Sequence, residues 1–70
     1  MKRVTATILC DDFNGTQCET CFTVSVDDRL TEGNRNDLIR RAAPIMAKLQ
    51  GLTGVGVEIE TIEEDSKNAY

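Results

Sequence analysis

Asp11-Asp12-Phe13-Asn14-Gly15-Thr16-Gln17 separates two runs of alternating polar and apolar residues, and its reading decides the fold. Asn-Gly signals a hairpin because both residues tolerate positive φ. The turn can be tested against the runs it joins. Before it, Val4, Ala6, Ile8 and Cys10 share one face and Arg3, Thr5 and Thr7 the other. After it, Cys18, Thr20, Phe22, Val24 and Val26 share one face and Glu19, Cys21, Thr23 and Ser25 the other. Both runs read as half-buried strands. A two-residue Asn14-Gly15 loop pairs Ile8 with Cys21 and Cys10 with Glu19, which sets the apolar sides on opposite faces of the sheet. A three-residue Phe13-Asn14-Gly15 loop, with Gly15 left-handed in a bulge, pairs Asp12 with Thr16, Cys10 with Cys18, Ala6 with Phe22 and Val4 with Val24. The second register makes one apolar face and is the expected one.

Downstream of the hairpin, Asp27 to Gly33 has no period and reads as a loop ending at Asn34, whose side chain suits an N-cap accepting from the amide of Asp37. Leu38, Ile39, Ala42, Ile45, Met46 and Leu49 then recur at helical spacing, a stripe expected to face the sheet. Pro44 falls inside it and costs roughly 3 kcal/mol in a helix interior, so a bend near Arg40 is expected. The stripe keeps its phase across Pro44, which predicts one bent helix in place of two short ones. Gly51 suits the C-terminal cap. In Gly54 to Ile62, Val55, Val57 and Ile59 alternate with Glu58 and Glu60, a third strand. The expected architecture is a single α+β domain over residues 1–62, of order β-β-α-β, with an antiparallel or mixed three-stranded sheet of order 2-1-3 and one kinked helix on one face. Residues 63–70 are expected to form an acidic flexible tail.

Seventy residues support only one core. No stretch reaches the roughly 20 apolar residues of a membrane span, and the alternating N-terminal run does not read as a signal peptide. A cytoplasmic setting, of the parent cell or a host, is the expectation. Three cysteines, an odd number, fit reduced thiols better than a secreted disulfide scaffold. The net charge of −4 favours basic partners over phosphate backbones.

Cys18-Glu19-Thr20-Cys21 with Cys10 upstream is the pattern nearest to a metal site, because zinc prefers thiolates. The set is incomplete: no histidine exists, the fourth ligand falls to Asp11 or Asp12, and an extended strand points Cys18 and Cys21 to opposite faces. Small core residues, a Cys10–Cys18 redox bridge and a thiol-based zinc site stand as the three readings of these thiols, with no metal or cofactor expected. The absence of histidine and the positions of Ser25 and Ser66 disfavour nucleophilic hydrolysis, and no enzyme activity is expected. The glycines of Gly51 to Gly56 follow a helix, the reverse of a phosphate loop. Arg40, Arg41 and Lys48 are few cations for nucleic acid, and the open sheet face carries threonine and glutamate where RNA stacking needs aromatics.

Charge polarity is the feature left. Glu58, Glu60, Glu63, Glu64 and Asp65 form an acidic strip along the third strand and tail. It either docks on a basic protein surface, including one evolved to bind nucleic acid, or only solubilises an edge. Asp11, Asp12 and Phe13 at the hairpin tip are the other candidate contacts, with Phe13 either anchoring an interface or folding back on the sheet. The leading expectation is therefore a small protein-binding or inhibitory module of the kind phages and mobile elements encode. A homodimer through an open strand edge, with Val55 to Ile59 the candidate, and a zinc or redox module are the alternatives.

Overall fold

Asp12 donates its backbone amide to the Thr16 carbonyl at 2.8 Å and accepts from the Gly15 amide at 3.1 Å, while Gly15 takes φ 85°. The hairpin closes through the three-residue loop. The computed structural model describes residues 1–65 and contains β1 (Lys2–Asp11), β2 (Gln17–Val26), α1 (Glu32–Leu49) and β3 (Glu58–Asp65). Pairing of β1 with β2 sets Cys10 opposite Cys18, Ala6 opposite Phe22 and Val4 opposite Val24. β3 pairs antiparallel with the other side of β1, so the sheet order is β2-β1-β3 and β3 runs parallel to β2. The core is Val4, Ala6, Ile8 and Cys10 of β1, Phe22 and Val26 of β2, and Ile39, Ala43 and Ala47 of α1. Full burial of a valine or isoleucine side chain stabilises by about 1.5–3 kcal/mol, so β1, buried on one whole face, anchors the domain.

The helix differs from expectation at its start and in its rotation. Its N-cap is Thr31, not Asn34: the Thr31 hydroxyl accepts from the amide of Asn34 at 3.2 Å. Glu32 then occupies the first turn, where a negative charge meets the positive end of the helix dipole. The buried row is Arg35, Ile39, Ala43 and Ala47, whereas Leu38, Ile45 and Leu49 of the expected stripe are 45%, 62% and 75% exposed. Ala42 and Met46 are partly buried. Contacts at the two helix ends accompany this rotation. At the first turn the Arg35 guanidinium reaches Glu64 of β3 at 2.6 Å, and past the last turn Gln50 reaches β2. The C-terminus closes as a Schellman turn, with Gly51 at φ 85° donating to Lys48 and Leu52 donating back to Ala47, both at 3.0 Å. α1 runs continuously through Pro44; the bend at Arg40 stays an expectation.

β3 begins later and ends later than its alternation suggests, so Val55 and Val57 precede it, and Glu63, Glu64 and Asp65, assigned above to the tail, belong to it. Its register shifts between Thr7 and Ile8 of β1, which leaves Glu60 as the extra residue of a bulge. The extra residue changes the parity of the strand. Ile59 and Ile62 both pack against the core, where plain alternation sends one of them to solvent. Residues 66–70 of the expected tail lie outside the described residues. Among the described residues, no helix is long and apolar enough to cross a membrane.

Candidate functional site

The sheet face away from α1 is built in rows across the three strands. Thr5 lies between Thr23 and Glu63, Thr7 between Cys21 and Thr61, and Leu9 between Glu19 and Glu58. Thr5 and Thr23 share a hydroxyl hydrogen bond of 3.0 Å. Glu63 flanks this hydroxyl pair at one end of the face, and Glu19 and Glu58 flank Leu9 at the other. Hydrogen bonding with the Glu19 carboxyl, reinforced by its charge, holds the Glu60 carboxyl above its ordinary pKa. Among the described residues, none of Glu19, Glu58, Glu60 and Glu63 takes part in an ion pair.

Glu64 stands apart from that group. It occupies the helix side of β3, opposite Val4, where Arg35 at 2.6 Å and Lys2 at 3.2 Å both reach its Oε2. Hydrogen bonds from Arg35 first, then Lys2, hold its carboxyl below the usual carboxylate range. Arg35 is buried, and its Nε and second terminal nitrogen also donate to Asn36 at 3.1 and 2.8 Å. This network fastens the start of α1 to the end of β3 and takes Glu64 out of the set of free acidic contacts. Arg35 was not among the sequence candidates; only its four-residue spacing to Ile39 hinted that it faces inward.

The hairpin tip divides in the same way. Asp12 is structural: one carboxylate oxygen accepts from the amides of Asn14 at 2.8 Å and Thr16 at 2.9 Å. The Thr16 amide foremost, with those of Asn14 and Gly15 and the Cys18 thiol, holds the Asp12 carboxyl below its ordinary value. Asp11 is exposed, and its carbonyl accepts from the Thr53 amide at 3.1 Å and the Thr53 hydroxyl at 2.9 Å, which pins the loop after α1 to the end of β1. Phe13 is 78% exposed, so it stands off the sheet and does not fold back. Because β3 starts opposite Leu9, Phe13, Asp11, Glu58 and Glu60 share one end of the sheet, while Glu63, Glu64 and Asp65 lie toward the other.

A cleft of about 430 Å³ opens between α1 and the first residues of β3, lined by Arg40, Ala43, Pro44, Val57, Glu58 and Ile59. Its lining combines the aliphatic Ala43, Pro44, Val57 and Ile59 with Arg40 from the helix and Glu58 from the sheet. Sequence reading missed this cleft, since it depends on where β3 begins relative to Pro44.

The three cysteines are free. Cys10 and Cys18 face the helix side and the exposed Cys21 the open side, so the Cys-x-x-Cys pair diverges, and among the described residues no three cysteine or carboxylate side chains converge as metal ligands. Desolvation first, then the Asp12 charge, pushes the Cys18 thiol above its ordinary pKa, which disfavours the reactive thiolate. No protein-family model, no curated protein and no solved structure matches the chain.

Proposed function

We propose that this protein is a small non-catalytic binding module that docks the acidic border of its sheet on a basic protein surface. One observation carries the reading. Glu58, Glu60 and Glu63 stand on an edge strand without an ion-pair partner among the described residues, and Glu60 is held against Glu19 despite like charge. A fold that keeps carboxylates together at a cost to itself is suited to a cation supplied by another molecule. Phe13, projecting from the same end as Glu58 and Glu60, supplies an apolar anchor beside those two charges. An inhibitory role against a nucleic-acid-binding protein, in the cytoplasm of a parent or host cell, is the form of this function that the size and charge of the chain fit best.

The test compares wild type with Glu58→Lys/Glu60→Lys in cross-linked retrieval of partners from the native cell. The expected result is a basic partner held by the wild type, released by the variant, and weakened by added salt, which screens exposed charges beyond about 10 Å at 0.1 M. Identical partner sets from the two proteins overturn the reading.

A further inference from the structure

Among the described residues, three parts of the surface pair with no other element: the Leu38, Ile45 and Leu49 row of α1, the outer edge of β2, and the outer edge of β3. Nothing in the structure indicates what covers the helix row. The two edges are unequal. Gln50 donates from its side-chain amide to the Cys21 carbonyl at 3.0 Å and accepts from the Thr20 hydroxyl, which blocks the middle of β2 against another strand. No such cap reaches β3 among the described residues.

The Cys21 carbonyl is free to meet Gln50 because it faces away from β1. Backbone groups alternate between the two sides of an antiparallel strand. The odd residues of β1 therefore bond to β3, and Ile59, Ile62 and Glu64 turn their backbone groups to the open edge. Beside that edge lies the cleft of Ala43, Pro44, Val57 and Ile59, and on the opposite side of the strand stand Glu58, Glu60 and Glu63.

We infer that the β3 edge receives an extended segment of a partner protein as a fourth strand, with lysine or arginine alternating with aliphatic residues. This rests on the acidic docking proposed above and names its geometry. Side chains of an added strand alternate between the faces of the sheet. On the open face they meet Glu58, Glu60 and Glu63, which selects cations. On the helix face they meet the cleft, where Ala43, Pro44, Val57 and Ile59 accept an apolar residue and Arg40 and Glu58 in the same lining offset each other's charge. A second copy of β3 is the wrong occupant, because Glu-Ile-Glu-Thr-Ile-Glu-Glu-Asp laid against itself sets carboxylates opposite carboxylates.

The probe is a blocked peptide alternating lysine and valine over the 8-residue length of β3. It is titrated into the full chain and followed by backbone NMR shifts and amide exchange. Two control peptides accompany it: the same sequence N-methylated at alternate backbone positions, and one of equal composition with lysines and valines in separate blocks. The expected result is saturable binding, slowed exchange at Ile59, Ile62 and Glu64, and affinity reduced at least about tenfold by N-methylation or by blocking the sequence. Glu58→Lys/Glu60→Lys/Glu63→Lys, its fold checked by circular dichroism, is expected to abolish binding. Equal affinity for all three peptides, lost with the charge reversal, overturns strand addition and leaves acidic docking standing. No binding to wild type overturns strand addition, and binding unchanged by charge reversal overturns acidic docking with it.

Discussion

β2 and β3 flank the same central strand, yet their free edges are protected by different means. β2 carries one charged residue, Glu19, among threonine, valine, phenylalanine and cysteine, the composition of an edge that recruits other strands. Its protection is steric and hydrogen-bonded: Gln50, just past the end of α1, sits on Thr20 and Cys21. β3 is acidic over most of its length, and its protection is electrostatic. The lesson is that a hydrogen-bonded cap excludes every strand, whereas charge excludes only strands of the same sign. The first device closes an edge; the second makes it selective.

The largest expected effect comes from deleting Glu60, which removes the bulge and restores plain alternation to β3. Either Ile59 or Ile62 must then leave the core, or Glu64 must leave Arg35. Loss of one partly buried isoleucine alone is expected to lower unfolding free energy by about 2 kcal/mol, measured by urea denaturation. An unchanged midpoint breaks the account of the β3 register.

Gln50→Ala opens the β2 edge. Loss of its hydrogen bond to the Cys21 carbonyl is expected to cost about 1 kcal/mol and to produce self-association in sedimentation at high protein concentration. Wild type, whose β3 edge carries like charge against a second copy of itself, is expected to stay monomeric under the same conditions. If the Gln50 variant also stays monomeric, the contrast between the two edges loses its basis.

Opposite pH responses give the smallest effects and the sharpest distinction within β3. Glu64 has a lowered carboxyl pKa, so its pairs with Arg35 and Lys2 stabilise the fold above the ordinary glutamate range, a contribution lost as pH falls through the lowered value. Glu60 has a raised pKa, so the native state holds its proton more tightly than the unfolded chain does. Its contribution is therefore fully present in acid and lost as pH rises through the raised value. Glu64→Gln is expected to lower the melting temperature at pH 7 with little effect in acid. Glu60→Gln is expected to raise it slightly at pH 7 and to leave it unchanged in acid. Parallel responses in thermal scans across this range contradict the division of β3 into a structural and an exposed acidic end.

The hairpin was legible because its information is local. Asn14-Gly15 admits few turns, and only one of them puts Val4, Ala6, Ile8 and Cys10 on the same side as Phe22, Val24 and Val26. Strand order followed from a right-handed crossover that returns β3 beside β1, and the Gly51 cap from the end of the helical stripe. The acidic strip was also visible, but its members were treated as equivalent, and nothing local separates Glu64, held by Arg35, from Glu63, one residue away on the other face.

The chain's own order of residues thus determined a two-stranded ribbon with one register, a helix through Pro44 and a third strand rich in glutamate, because turn stereochemistry and periodicity act over a few neighbours. Tertiary contacts decided the rotation of α1, the bulge at Glu60, the closing of one edge by Gln50 and the cleft beside the other. Each of these depends on pairs far apart in sequence, such as Arg35 with Glu64 and Gln50 with Cys21, whose meeting is set only when helix and sheet dock.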